Sequence, residues 1–403
     1  MGGVNGRRPT MEALDSGWGV RSFDPWDPRI TNSNIWGIYR QMRAAGPAVR
    51  SDAQGGFWSI TRYVHVRDAA ADFKTFSSAG VGSIIGREHH VAAIPLELDR
   101  PEHTRYRKAM QAPFLTHRVG QFTGVVRSTV RRVLDGLTGR ETFDIVHDVA
   151  EPIPLAVISD ILGIPAGERQ EQHRRLALGY VYADLSTLEQ AYEDYSGFFR
   201  EEVDHRLAHP GDDLISELCG LRIDGQPFTP EEIGRMARAL ALAGHHTTIN
   251  GISSLLMRMG QSGLMSRYVQ QADLGPAAIE ETLRLDSPIH LEARTTTAPA
   301  LVGDVEIPAG ARVALLYASA NHDDDKYPDP ESFVPGRPGP AHLSFGHGVH
   351  KCLGAHLSRL EMSLVLEEMA RSFPDYRLTA DPVGSGMVFG HHMGWESMPA
   401  ATR

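Results

Sequence analysis

Cysteine is almost missing from this chain, with only Cys219 and Cys352 among 403 residues. That scarcity excludes a disulfide framework, fits a reducing cytoplasm and leaves at least one thiol for chemistry. Long apolar runs are missing too. The apolar fraction is an ordinary 41%, and no hydrophobic stretch approaches the ~20 residues needed to cross a bilayer, so no membrane anchor is expected. A basic excess is also lacking. The formal charge is −10, which argues against nucleic acid as a partner, because phosphate neutralisation needs a concentrated basic surface. No repeat, low-complexity tract or Pro/Gly/Ser-rich linker separates autonomous units. Residues 1–23 lack the apolar core of a signal sequence and read as a flexible leader; residues 24–403 read as one domain.

What is present is mostly helical patterning. Apolar residues recur at helical spacing between Pro113 and Leu137, between Pro165 and Leu207, and from Glu231 to Met259. The last of these segments opens with a capping box, Thr229 followed by Glu232. Around residues 55–72, Trp58, Ile60, Tyr63, Val64 and Val66 favour a short strand pair that leads into a helix. From Ala298 onward the pattern alternates like strands, with turns at Gly303 and at Pro308–Gly310. A mainly α architecture with smaller β-sheets is expected.

Two places break the ordinary grammar. Phe345, Gly346, Gly348, Cys352 and Gly354 crowd glycines around a cysteine immediately before a helical stretch, AHLSRLEMSLVLEEMARSF. Glycines let the backbone turn tightly and approach a bound group closely, and a helix N-terminus favours a thiolate. Two other readings stand beside this one: Cys352 as a small buried hydrophobe, or zinc held by His347, His350, Cys352 and His356, whose spacing matches no common structural zinc site. The second break is Ala243-Gly244-His245-His246-Thr247-Thr248, a weak glycine and two hydroxyls within the long apolar helix.

The F-x-x-G-x-x-x-C-x-G spacing from Phe345 to Gly354 resembles that of the cytochrome P-450 family of haem-thiolate enzymes. The resemblance implies haem b (iron protoporphyrin IX) with Cys352 as its axial thiolate, in a triangular-prism fold with haem between a long central helix and the cysteine loop. It extends to other segments. Glu281 and Arg284 match the family's E-x-x-R, and Arg337 in FVPGRP matches the arginine that completes a buried network steadying the cysteine loop. His103, Arg107, Arg294 and His350 match the family's haem propionate contacts. AGHHTT resembles the family's distal motif, so Ala243 and Gly244 would leave space above the iron at a local bulge or kink, and Thr247 matches the threonine that helps water deliver protons. Thr247 can equally bond back to a carbonyl one turn earlier. His246 stands where the family generally has a carboxylate; an imidazole there can shuttle protons or satisfy a core hydrogen bond.

The implied reaction is reductive activation of O₂ with insertion of one oxygen atom into a small, mostly hydrophobic molecule, by a cytoplasmic, monomeric monooxygenase. No dinucleotide fingerprint or cysteine cluster supplies electrons from within the chain, so ferredoxin and ferredoxin reductase are the expected donors, docking near Arg67, Arg107, Lys351 and Arg359. Substrate contacts are expected from the loop around residues 81–94, including His90, and from Leu242, Ile289, His290, Val388 and Phe389. Glu292 would add polarity. The pairs His89-His90 and His391-His392 seldom chelate one ion if they lie on strands, whose adjacent residues point to opposite faces. Three rival readings are a peroxide-using or otherwise atypical haem-thiolate enzyme signalled by His246, a non-catalytic haem-binding protein, and a zinc-stabilised helical scaffold.

Overall fold

The longest apolar-rich segment becomes the longest helix. In the computed structural model, which describes residues 19–80, 82–86, 93–181 and 187–402, Pro230–Gln261 is continuous α-helix. Its start is set locally: Thr229 Oγ1 accepts from the Glu232 amide at 3.2 Å, and the Glu232 carboxylate accepts from the Thr229 amide at 2.7 Å. The helices used below are α1 (Ile35–Ala45), α2 (Tyr63–Ala71), α3 (Glu102–Gln111), α4 (Thr123–Asp135), α5 (Pro152–Leu162), α6 (Glu168–Val181), α7 (Leu188–Ala208), α8 (Pro230–Gln261), α9 (Leu274–Leu285) and α10 (Ala355–Ser372). Helices α5, α7, α9 and α10 all pack on α8. Ile252, Leu255, Leu256 and Met259 of α8 are wholly buried, each such side chain contributing roughly 1.5–3 kcal/mol of transfer free energy.

The β structure lies to one side. Strands β1 (Ala48–Ser51), β2 (Phe57–Ile60), β3 (Phe76–Ser77), β4 (Glu292–Thr296) and β5 (Arg312–Leu315) form a sheet in the order β1-β2-β5-β4-β3. The β2/β5 pairing is parallel, with Val313 opposite Trp58; the other pairings are antiparallel, with Arg312 opposite Thr295 between β5 and β4. A hairpin of β6 (Val383–Val388) and β7 (His392–Ser397) packs on α8.

Several expected boundaries move. Tyr63, Val64 and Val66 are helical rather than extended, because the Asp323 carboxylate accepts from the Tyr63 amide at 2.8 Å and caps α2 from a distant part of the chain. The segment 113–137 is broken, with short turns around Ala112–Phe114 and Gly120–Phe122 before α4 begins. The segment 165–207 holds two helices, α6 and α7. Within the expected leader, Val20–Ser22 form a 3₁₀ turn, and Phe23 is buried edge-on against Tyr39.

Candidate functional site

The cysteine loop is held by its own backbone. The Cys352 amide donates to the Phe345 carbonyl at 2.7 Å, the Gly346 amide to Leu343 at 2.8 Å and the Lys351 amide to Gly348 at 3.2 Å. Gly348 adopts φ +70°, and a β-carbon there would meet the Ala70 carbonyl of α2 at 2.5 Å. Side chains are therefore excluded at 348 by both conformation and space. Gly354 is different, since a β-carbon there would meet nothing within 4 Å. Cys352 retains accessible surface, although enough protein surrounds its thiol for burial to act on its pKa. Burial pushes its pKa up, while the amides of Gly354 and Ala355 at the start of α10 and the guanidinium groups of Arg107 and Arg359 pull it down.

Beneath the loop, Glu281, Arg284 and Arg337 meet as a buried triad. The Glu281 carboxylate accepts from Arg284 Nε and Nη2, both at 2.9 Å, from Arg337 Nε at 2.9 Å and from the Val334 amide at 3.0 Å. Arg284 Nη1 also donates to the carbonyls of Asn321 and Pro330 at 2.8 and 2.9 Å, and Arg337 Nη2 to Ser332 at 2.7 Å. These donors hold Glu281 below the usual carboxylate range despite its burial.

His103, Arg107, Arg294 and His350, drawn from α3, β4 and the cysteine loop, converge. The His103 and His350 rings lie 4.5 Å apart. His350 is depressed to about 3, first by burial and then by Arg294, His103 and Arg107, and His103 to about 4, by burial and then Arg107 and Arg100. Both ring nitrogens of His103 are buried without a hydrogen-bond partner among the described residues. Among the described residues neither Arg107 nor Arg294 forms an ion pair with a carboxylate; Arg294 Nη1 donates to the Ala293 carbonyl at 2.7 Å. Such a cluster of donors is chemically suited to the two carboxylates of a porphyrin, and the accessible thiol near Arg107 suits an iron centre.

The middle of α8 is not bulged. The helix runs on unbroken, so the expected bulge is corrected, and Thr247 Oγ1 donates to the Ala243 carbonyl at 2.9 Å, the back-bond one turn earlier that the sequence also allowed. Nor does Gly244 make the space, since its missing side chain would point at Ile158 of α5, 3.9 Å away. Ala243 instead has exposed surface in the middle of a largely buried helix. His246 has its pKa lowered by burial, and its ring packs on His392 at 5.8 Å.

Other expectations sort as follows. His90, His89 and Val81 lie outside the described residues. His290 is no pocket residue; it is buried against α1, with Nδ1 3.1 Å from the Tyr39 hydroxyl and its ring 5.3 Å from that of Trp36. Leu242, Ile289, Val388 and Phe389 are all partly accessible, and Ile289 bridges to His392 of β7. The docking patch is largely neutralised, because Arg67 pairs with Asp68 at 2.7 Å and Arg359 with Glu280 at 2.5 Å; Lys351 remains exposed. The proposed zinc ligands go elsewhere, His350 to Ser78 at 3.0 Å and His356 to Thr116 at 3.0 Å. Among the described residues, only the Asp323–Asp325 group gathers three potential ligand atoms. Sequence reasoning missed Glu361, buried in α10 with Oε2 unpartnered among those residues and its pKa pushed well up by burial.

The comparisons with known proteins agree with this geometry. The sequence model of the family described as Cytochrome P450 matches residues 260–375. The steroid C26-monooxygenase of Mycolicibacterium smegmatis is 32% identical over 374 residues, covering 90% of this chain and 91% of the relative. The cytochrome P450 monooxygenase PikC of Streptomyces venezuelae is 33% identical over 364 residues, covering 85% of each. Among solved structures, cytochrome P450 CYP109Q5 from Chondromyces apiculatus superposes with a TM-score of 0.86 at 29% identity, over 95% of this chain and 99% of that one. No helix among the described residues is long and apolar enough to span a membrane. Monooxygenase relatives of this extent favour catalysis over the non-catalytic and zinc-scaffold readings, and the chain belongs to the cytochrome P450 family of haem-thiolate monooxygenases.

Proposed function

We propose that Cys352 is the thiolate that holds the haem iron, that His103, Arg107, Arg294 and His350 bind the propionates, and that the substrate enters beside Ala243 and Thr247 on α8. The observation that carries this reading is the accessible Cys352 thiol near four cationic or neutral donors that lack carboxylate partners among the described residues. Haem with an axial thiolate supplies reductive activation of O₂ and insertion of one oxygen atom into an organic molecule. The chain does the rest. Phe345, Gly346 and Gly354 shape a loop that admits a porphyrin edge, while Glu281, Arg284 and Arg337 keep that loop rigid from below. Thr247 holds its hydroxyl at the mouth of the α8 turn, where it can pass a proton between water and the distal pocket, and His246 stands next to it as an imidazole that can hold or release one.

Leu242, Ile289, Val388 and Phe389 favour a modest hydrophobic substrate, and Glu292 adds one polar contact, so the substrate class is an apolar molecule with an oxygen or nitrogen function. Residues 24–403 act as one catalytic domain, working as a cytoplasmic monomer. Electrons come from ferredoxin and its reductase. Exposed Lys351 supports docking on the cysteine side, together with an open cleft of about 570 Å³ lined in part by Lys74, Arg100, Arg105 and Lys108 on the flank of α3. The deciding experiment is optical. The dithionite-reduced protein under carbon monoxide should give the strongly red-shifted Soret band of thiolate ligation, and Cys352→Ser should abolish it; a colourless protein, or a band that survives in Cys352→Ser, overturns the reading.

A further inference from the structure

We propose that Glu292, His391, His392 and His246 form a proton relay that ends at the His246 ring and takes the place of the carboxylate the family generally carries at that position. The proposal rests on the distal reading of α8 given above. Its basis is a column of imidazoles that strand alternation would not have predicted. Phe389 and Gly390 both take positive φ, +52° and +65°, so the chain turns there. His391 precedes β7 rather than belonging to it, and its ring comes to rest 4.1 Å from that of His392 at an interplanar angle of 90°. His391 Nδ1 lies 3.8 Å from Glu292 Oε1. On the other side the His392 ring meets that of His246 edge to face, with ring centres 5.8 Å apart at 81°. The column therefore runs from β4, through the β6–β7 turn, to the residue immediately before Thr247.

Charge makes this column a store for one proton. Around His392 stand His391, His246 and His290, each of which disfavours a second positive charge, and burial lowers its pKa further. His290 is itself depressed to about 3, by burial and then His322, and is backed by Tyr39. Around His246 stand His245 and Glu151. At the far end Glu292 is raised to about 7, mainly by burial, with Arg294 opposing and Glu97 reinforcing the shift, and Tyr317 packs nearby. Glu292 Oε2 and His392 Nδ1 are buried with no hydrogen-bond partner among the described residues. Burial disfavours the Glu292 carboxylate, so this end of the column keeps a dissociable proton near neutrality, either on the carboxyl or in a carboxylate–imidazolium pair with His391. The reaction converts RH, O₂, two electrons and two protons into ROH and H₂O, with the electrons supplied by the external reductant. In the relay the proton leaves the Glu292 carboxyl for one nitrogen of His391, whose other nitrogen gives one up to His392, and His246 receives it. Solvent then reprotonates the Glu292 carboxylate, so no charge is left behind.

The test uses the haem-loaded enzyme and two independent readouts. Infrared spectroscopy of the natural sequence should show a protonated carboxyl band that titrates away near pH 7 and is missing in Glu292→Gln; this measurement requires no turnover. In His392→Phe and Glu292→Gln, the share of consumed electrons recovered in product should fall roughly tenfold or more, with hydrogen peroxide taking up the difference and the solvent deuterium isotope effect increasing. The reduced carbon monoxide band should be unchanged in both variants, which separates failure of the relay from failure of the thiolate site. Adding His246→Asp to His392→Phe should restore coupling by returning a carboxylate to position 246. Should His392→Phe not fold, His391→Gln carries the same prediction. Absence of a titrating Glu292 band, or unchanged coupling and isotope effect in the relay variants, overturns the proposal.

Discussion

Glu281 and Glu292 lie close together in the chain, one on α9 and the other on β4, yet they meet opposite surroundings. Glu281 accepts from two arginines and an amide and is held low. Glu292 has an unpartnered oxygen among the described residues, lies 3.8 Å from an imidazole, and is raised to about 7 by burial, which the nearby Arg294 only partly offsets. The same contrast separates the two sides of the site. Beneath the cysteine loop, buried charge is fully matched by donors, which makes the structure rigid; on the α8 side, buried polar groups are poorly matched, and that is where a proton can move.

Breaking the matched side should have the largest effect. Glu281→Ala leaves two arginines buried without their carboxylate, and a loss on the order of 3–5 kcal/mol is expected, seen as a lower urea midpoint together with loss of bound haem. Gly348→Ala should come next, at about 1–3 kcal/mol, because φ +70° is strained for alanine and its β-carbon meets the Ala70 carbonyl at 2.5 Å. The expected readout is a drop in the thermal midpoint with partial loss of the carbon monoxide band; an unchanged midpoint would mean that the loop tolerates a side chain.

The unmatched side should respond to pH rather than collapse. His245 and His290 are each depressed to about 3 from 6.5, first by burial. Between those values and 6.5 the unfolded chain binds more protons than the folded one, so stability should fall as pH drops through this window. Glu292 acts with the opposite sign. Its folded pKa of about 7 lies above the ordinary 4.5, so the stability it contributes at low pH is lost as pH rises toward and through 7. Glu292→Gln should therefore stabilise the protein at about pH 8 relative to about pH 5, by on the order of 2–3 kcal/mol at most, measured as the pH dependence of the urea midpoint. An identical pH profile in the two proteins would show that Glu292 ionises as an ordinary surface acid.

The matched side was also the legible side. Three signals are carried by spacing alone: the glycines around Cys352, the three-residue step from Glu281 to Arg284, and the capping box at Thr229. Each depends on geometry that a few consecutive residues impose on themselves. The failures share the opposite property. Tyr63 entered a helix because Asp323 caps it from 260 residues away, and α8 runs through Gly244 without a bulge because neighbouring helices pack along it. His290 turned toward Tyr39 because the core beside α1 had room for its ring, and His391 met His392 because two positive-φ residues broke the alternation assumed for a strand.

By itself, then, the sequence determined the helical class and the glycine-rich cysteine loop, since residue type and short-range spacing suffice for these, while the triad and the candidate porphyrin contacts came from the resemblance to the cytochrome P-450 family. Tertiary structure alone decided which buried groups are matched and which are not. That depends on burial and on partners brought together from distant segments, as when β4, the β6–β7 turn and α8 place one carboxyl and three imidazoles in a single column.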